Sequence, residues 1–147
     1  MKQSADSGGE ASPPFTLQPI GRISSPLVMR EDAPRQGDEG APPAWLEFDP
    51  GYEEALRDLA TDDEILVITW LHRADRSTLR VYPRGDRERG LRGVFSTRSP
   101  DRPNPIGIHR VRILAMESAL RFQVSDMEAI DGTPIIDVKP VLKSQPR

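Results

Sequence analysis

One short segment of the sequence concentrates side chains that could bind an anion. Between Gly93 and Gly107 the chain reads GVFSTRSPDRPNPIG, which contains Arg98, Arg102 and Asn104. The planar arginine guanidinium pairs with carboxylates and phosphates, and an asparagine amide both donates and accepts hydrogen bonds. Three prolines lie within six residues here and restrict the backbone, so we expect a loop that is rigid before any ligand binds. The alternative interpretation is a proline-rich crossing loop whose arginines form salt bridges with acidic neighbours.

Three further polar clusters are candidates for a site. Asp131–Pro140 reads DGTPIIDVKP, although Asp-Gly is also an ordinary hairpin signal. Pro34–Gln36 reads PRQ and could meet a carboxylate and a polar heterocycle, although a solvated loop has the same composition. His72 directly follows the apolar run Ile65–Leu71, and polar residues at the exit of a strand often line a site.

The composition excludes several kinds of chemistry. The 147 residues include no cysteine, which excludes thiolate nucleophiles, disulfides and cysteine-ligated metals. His72 and His109 are the only histidines and do not form H-E-x-x-H, so we expect no metal site. The glycine-rich motifs of dinucleotide-binding and P-loop domains are absent, and no serine lies in a nucleophile elbow.

The net charge of −3 conceals a segregation of charge along the chain. Residues 31–71 carry 2 basic and 12 acidic side chains, whereas residues 72–112 carry 11 arginines, no lysine and 4 acidic side chains. The two segments could neutralise each other at the surface, or the second could form an anion-binding face. The basic side chains of residues 72–112 are arginines without any lysine, which modestly favours an anion-binding face.

Short apolar stretches separated by proline and glycine predict a mainly β fold. The predicted helix, Tyr52–Ala60, would have Asp49 as its N-cap and Pro50 in its first turn. Many short strands around a single helix are typical of a small barrel or sandwich. The predicted strands are Phe15–Ser25 (irregular near Pro19), Trp45–Phe48, Ile65–Leu71, Thr78–Tyr82, Gly93–Thr97, Ile106–Met116, Ala119–Ser125 and Pro134–Val138.

The length of the chain predicts a single domain over residues 15–142. Residues 1–14 contain no apolar run and are expected to form a disordered tail, and residues 143–147 a short C-terminal tail. The longest apolar run is far shorter than the roughly 20 residues that span a bilayer. We therefore expect a cytoplasmic protein with no signal peptide and no membrane segment.

Taken together, these motifs closely resemble those of the TsaA-like (TrmO/YaeB-like) family. The resemblance rests on Gly93–Gly107, on Asp131–Pro140, on Pro34–Gln36 and on ITWLH at Ile68–His72, and it extends over about Phe15 to Leu142. It implies a small β-barrel of short, mostly antiparallel strands with one short α-helix. It also implies an S-adenosylmethionine-dependent methyltransferase that works as a homodimer, with the cofactor near the subunit interface, on N6 of threonylcarbamoyladenosine at position 37 of tRNA.

The resemblance also implies which positions form the site. Either Arg35 or Arg98 would pair with the carboxylate of the cofactor, and backbone groups around Met127 would meet its adenine. The positions that correspond to cofactor contacts in the family are Pro34, Arg35, Gln36, His72, Arg73, Arg98, Ile108, Ser125, Asp126, Met127 and Glu128. The family commonly has Asp where this chain has Glu128, and Tyr where it has Val141.

Methyl transfer mainly requires alignment of the reactants and an acceptor for the N6 proton. The motif positions suggest Asp131, or a water held by Asn104, as that acceptor, and Arg102, Thr133 and Lys139 as substrate contacts. Two alternatives stay open: a methyltransferase of the same fold with a small-molecule or different RNA substrate, and a non-catalytic module that binds S-adenosylmethionine.

Overall fold

Six antiparallel strands close into a barrel in the computed structural model, which describes residues 14–142. Their order around the barrel is β1-β2-β7-β6-β3-β8, and β8 pairs back with β1. A separate two-stranded sheet joins β4 and β5. The strands are β1 (Gly21–Ser24), β2 (Ala44–Phe48), β3 (Glu64–Trp70), β4 (Arg80–Val81), β5 (Arg92–Gly93), β6 (Ile106–Ser118), β7 (Arg121–Val124) and β8 (Pro134–Pro140). The predicted small antiparallel barrel is confirmed.

The barrel has a filled interior because alternate residues of each strand point inward. In β3 the buried residues Ile65, Val67 and Thr69 alternate with partly exposed neighbours, and β6 follows the same pattern. Phe48 and Phe122 pack edge to face, with their ring centroids 5.5 Å apart. The other apolar residues of the core are Ile23, Ala44, Leu46, Leu56, Val111, Ile113, Val124, Met127, Ala129 and Ile135.

The helix is shorter than predicted. Helix α1 covers Glu53–Leu56, a single turn, instead of Tyr52–Ala60. It ends early because Arg57 is extended and Asp58 has a positive φ of 74°, which continues no right-handed helix. The predicted N-cap is also wrong: Tyr52 is the capping residue, and no side chain caps the first turn.

Several predicted strands are shorter than expected. The opening strand begins only at Gly21, because Phe15 and Leu17 lie exposed before Pro19 and bury no apolar surface. Thr78–Tyr82 pairs only over Arg80–Val81. Gly93–Thr97 is wrong as a strand: β5 ends at Gly93 and a 3-10 turn, Val94–Ser96, follows. Three of the remaining 3-10 turns are Arg30–Asp32, Gly37–Glu39 and Arg87–Arg89.

The topology gathers three long loops at one end of the barrel. Strands β1, β3 and β7 run in the same direction, so the loops that leave them emerge together. These loops are residues 25–43, residues 71–105 and residues 125–133, and they contain most of each candidate motif; Ile68–Trp70, Ile106–Gly107 and Pro134–Pro140 lie on the adjoining strands. Helix α1 and the β6–β7 hairpin lie at the opposite end.

The predicted tails, residues 1–14 and 143–147, lie outside the described residues except for Pro14. Over residues 14–142, no helix has the length and apolar character needed to cross a membrane. The cytoplasmic location and the domain limits stay predictions.

Candidate functional site

The three loops enclose a cleft of about 1490 Å³ at the end of the barrel. Small-molecule sites usually have about 300–1,000 Å³. The cleft therefore has room for a nucleoside-sized ligand together with part of a second one. Ten of the residues singled out from the sequence line it: Pro34, Arg35, Gln36, His72, Arg73, Arg98, Arg102, Ile108, Glu128 and Thr133.

Four other candidates do not line the cleft. Met127 is fully buried and belongs to the core, and the Ser125 hydroxyl accepts a hydrogen bond from the N–H of Arg112 in β6. Asp126 accepts a hydrogen bond from the Ser125 hydroxyl. Lys139 pairs with Leu66 towards the opposite end of the barrel, where its Nζ lies 3.4 Å from an Asp137 oxygen. The structure therefore separates Lys139 from the other candidates.

The two candidates for the proton acceptor have structural partners and also lie off the cleft lining. Asp131 Oδ1 accepts a hydrogen bond from the Ser25 N–H at 3.0 Å, which ties the 125–133 turn to the end of β1. Asn104 Oδ1 accepts one from Arg76 at 3.2 Å. Both roles in proton transfer stay predictions.

Arg102 holds the proline-rich loop together. Its guanidinium donates to the carbonyl oxygens of Ser99 at 2.7 Å, Val94 at 2.9 Å and Thr97 at 2.5 Å. Charge-assisted hydrogen bonds of this kind are stronger than neutral ones. Most donors of Arg102 are thus used inside its own loop, and the geometry favours a positioning role over direct contact with a substrate.

The cleft has a large excess of positive charge. Eight arginines and three carboxylates line it. Arg30 and Arg84 form ion pairs with Asp101 and Glu39. By contrast, within residues 14–142 four lining arginines make no side-chain hydrogen bond or ion pair: Arg35, Arg73, Arg92 and Arg98. These four guanidiniums are available to an anionic ligand.

A buried polar chain underlies the cleft. Thr69 Oγ1 lies 2.7 Å from His109 Nε2, and His109 Nδ1 lies 2.6 Å from Glu128 Oε1. Thr69 and His109 are buried in the barrel, whereas Glu128 is partly exposed and lines the cleft. Gly107 lets this chain form, since a Cβ there would lie 2.6 Å from Thr69 Oγ1 and 2.8 Å from His109 Nε2.

His72 lies at the cleft and is biased towards its neutral form. Partial burial, followed by the charges of Arg73 and Arg22, lowers the pKa of His72 below its usual value of 6.5. A neutral imidazole offers one donor and one acceptor to a ligand. Over the described residues, no group of three His, Asp or Glu side chains is arranged to hold a metal ion.

The sequence did not point to Thr69, His109, Arg92 or the exposed Phe95 as site residues, yet all except Thr69 line the cleft. The sequence did contain a signal for His109. It lies two residues from Gly107 and two from Val111, so the period of two in a strand places all three residues on the face that points into the barrel. A buried histidine must find polar partners, but sequence alone could not identify Thr69 and Glu128 as those partners.

Known proteins have sequences similar to this chain. A probable S-adenosyl-L-methionine-binding protein of Methanothermobacter thermautotrophicus is 44% identical over 124 residues, which are 84% of this chain and 88% of that protein. An S-adenosyl-L-methionine-binding protein of Archaeoglobus fulgidus is 42% identical over 123 residues, covering 84% of this chain and 86% of its own.

Two solved structures are also similar to this chain. The crystal structure of TrmO from Pseudomonas aeruginosa matches with a TM-score of 0.70 and 31% identity, over 88% of this chain and 56% of that one. A second TrmO crystal structure matches with a TM-score of 0.71 and 31% identity, over 90% of this chain and 57% of its own. The chain thus spans somewhat more than half the length of these TrmO chains. The family model described as the tRNA-methyltransferase O N-terminal domain matches residues 22–145, and the chain belongs to this family.

Proposed function

We propose that this protein is an S-adenosylmethionine-dependent methyltransferase that modifies N6 of threonylcarbamoyladenosine at position 37 of tRNA. Membership of the TrmO family and the S-adenosylmethionine-binding relatives support the cofactor and the reaction class. The RNA substrate and the modified atom are the finer part of the proposal and rest on the motifs together with the charge of the cleft.

The residues of the cleft fit the proposed cofactor. S-adenosylmethionine supplies, when bound, a methyl group activated by attachment to a positively charged sulfur. Its amino acid carboxylate requires a cation, for which Arg35 and Arg98 are available, and its positive groups favour the neighbourhood of Glu128. His72 can hydrogen-bond an adenine edge in its neutral form.

The surplus of arginines is the observation that most favours an RNA substrate. One cofactor carboxylate needs one guanidinium, and four lining arginines have no side-chain partner within the described part of the chain. The carboxylate of the threonylcarbamoyl group and the RNA phosphates are the further anions that such a surface attracts. Phe95, with 79% of its surface exposed at the cleft, can stack against an unpaired base.

The chain's own residues would act mainly by alignment. Arg102 fixes the loop that carries Arg98, and the proline-rich backbone keeps this arrangement before binding. N6 of threonylcarbamoyladenosine is part of a urea-like unit and is more acidic than the amine of adenosine. A modest acceptor is therefore enough to remove its proton.

We further propose that two copies form the working unit. Ile106 and Ile108 are 43% and 52% exposed on β6, where both also line the cleft. An exposed apolar surface next to a site favours a contact with another protein surface. Sedimentation equilibrium should give a dimer for the wild type and a monomer for Ile108→Glu, and a monomeric wild type would contradict this part.

Transfer of a labelled methyl group tests the proposed function. The full chain is incubated with methyl-labelled S-adenosylmethionine and with tRNA that carries or lacks the threonylcarbamoyl group. Label should appear only in the modified tRNA. Label in both tRNAs would favour a different RNA position, and cofactor binding without transfer to any RNA would favour the binding module.

A further inference from the structure

The hydrogen-bonded chain Thr69–His109–Glu128 can support proton transfer at the cleft, a role that the sequence motifs did not indicate. We propose that Glu128 is the proton acceptor of the methyl transfer and that His109 is the residue that positions its carboxylate. This inference rests on the proposed function, because it concerns the proton on the nitrogen that receives the methyl group.

The hydrogen-bond inventory gives one direction for the chain when Glu128 is ionised and the ring of His109 is neutral. An ionised Glu128 can only accept, so His109 Nδ1 must carry the proton in the 2.6 Å contact with Glu128 Oε1. Nε2 of the neutral ring is then an acceptor, and the Thr69 hydroxyl donates to it at 2.7 Å. Each contact has a donor and an acceptor, so the buried polar groups are satisfied without a further charge.

This arrangement leaves one carboxylate oxygen available. Oε1 of Glu128 is held by His109, whereas Oε2 has no hydrogen-bond partner among residues 14–142. The Glu128 side chain is 17% exposed and lines the cleft, while that of His109 is only 4% exposed. Glu128 can therefore touch a substrate, and His109 acts through Glu128.

The other carboxylates of the cleft are less suited to the task. Asp101 already accepts hydrogen bonds from Arg30 and from the Asp75 N–H. Glu31 is exposed on a 3-10 turn, where no side chain within the described residues fixes its orientation. Of the three, Glu128 alone is held by a buried group, and a fixed orientation is what efficient proton transfer requires.

The step balances in atoms and charge. The bond between N6 and the methyl carbon forms while the bond between that carbon and the sulfonium sulfur breaks, and the released electron pair stays on the neutral thioether. The N6 proton passes to Oε2 of Glu128, which becomes a carboxylic acid until water removes the proton. Nδ1–H of His109 keeps its bond to Oε1 throughout.

Glu128→Gln is the central variant because an amide keeps the acceptor for His109 but cannot take up the proton. We expect kcat to fall by about 100-fold or more, within the usual range for a lost general base. Because the lost charge lies beside the cofactor's positive groups, the cofactor Kd, measured by calorimetry, should also rise, but by much less than kcat falls, and kcat is therefore measured at saturating cofactor. Glu54→Gln, on the exposed surface of α1, is the matched control and should keep the wild-type kcat.

The positioning role of His109 is tested by two replacements. Asparagine can place an N–H near the position of Nδ1–H, whereas leucine fills the space without a donor. A positioning role requires His109→Asn to retain more kcat than His109→Leu, with similar KM for the RNA. If His109 only fills the core, leucine should do at least as well, and that result would overturn the role.

A spectroscopic readout is independent of turnover. Nitrogen NMR of the histidine rings should report Nδ1 protonated and Nε2 unprotonated for His109 in the wild type and in Glu128→Gln. The reverse tautomer would overturn the assignment.

The kinetic outcomes separate the two proposals. An active wild type with a fully active Glu128→Gln overturns the role of Glu128 and leaves the proposed function standing. A wild type that transfers no methyl group to any RNA overturns the proposed function together with this inference.

Discussion

At the residue scale, Gly107 is the clearest position at which neighbouring atoms leave no room for a side chain. Strand pairing places it opposite Thr69, and its missing Cβ makes room for the contact between Thr69 and His109. Glycine is usually unfavourable in the interior of a strand, so its presence in β6 points to a close approach of polar atoms. The contact between Thr69 and His109 therefore explains why glycine ends the GVFSTRSPDRPNPIG motif.

Gly107→Ala should therefore disrupt the buried chain. The added methyl would force Thr69 and His109 apart, and overpacking of this kind costs about 1–3 kcal/mol of unfolding free energy. Gly93→Ala is the matched control, because a Cβ there meets nothing within 4 Å and its φ is −62°. Urea unfolding of both variants checks the difference, and equal stabilities would contradict the packing argument.

Asp131 allows a structural role to be separated from a chemical one. Its Oδ1 accepts the Ser25 N–H, a contact that asparagine can keep and alanine cannot. Asp131→Ala should lose about 1 kcal/mol of unfolding free energy, and Asp131→Asn much less. If Asp131→Asn is stable but loses turnover, Asp131 takes part in the chemistry. If it retains full turnover, the proton acceptor lies elsewhere.

At the scale of elements, the proline-rich loop combines one arginine that holds the loop together with one that lines the cleft without a side-chain partner among the described residues. Arg102 binds three backbone carbonyls of its own loop, whereas Arg98, four residues earlier, has no side-chain partner within the described residues. The two arginines share one motif and one residue type. Only the folded loop distinguishes their roles.

Lysine substitutions should expose this difference. Arg102→Lys loses the planar fork that reaches several carbonyls, and we expect it to lower the unfolding free energy by about 1–2 kcal/mol. Arg98→Lys should leave stability unchanged but weaken cofactor or RNA binding several-fold, because a bidentate contact is lost. Thermal unfolding and calorimetry measure the two effects. A stable Arg102→Lys would mean that its carbonyl contacts add little.

The elements that the sequence predicted well are those with a clear period of two. Strands β3 and β6 were located almost to the residue because their buried and exposed positions alternate. The helix was overestimated because nothing in its apolar spacing indicates that Asp58 adopts a positive φ. The site was only partly predictable, since motifs mark the loops, whereas the pairing of β3 with β6 brings His109 to Thr69, and the fold of the 125–133 loop brings Glu128 to His109.

At the scale of the whole molecule, the segregation of charge has two outcomes. Part of it is neutralised, since Arg84 pairs with Glu39 and Arg110 with Glu64, at 2.9 Å and 3.0 Å. These pairs are exposed or partly so, and contribute little to stability. The remaining arginines collect at one end of the barrel, which gives an acidic protein a basic face.

A basic face that binds RNA through phosphates makes the affinity depend on salt. Each phosphate contact releases a counterion, so a plot of log Kd against log salt concentration has a slope set by the number of contacts. Arg92→Ala should weaken tRNA binding and lower that slope by about 1. Arg57→Ala, on the exposed segment after α1 at the far end of the barrel, is the control and should change neither. Equal slopes for the wild type and Arg92→Ala would remove Arg92 from the RNA interface, and a wild-type affinity independent of salt would contradict docking of arginines on phosphates.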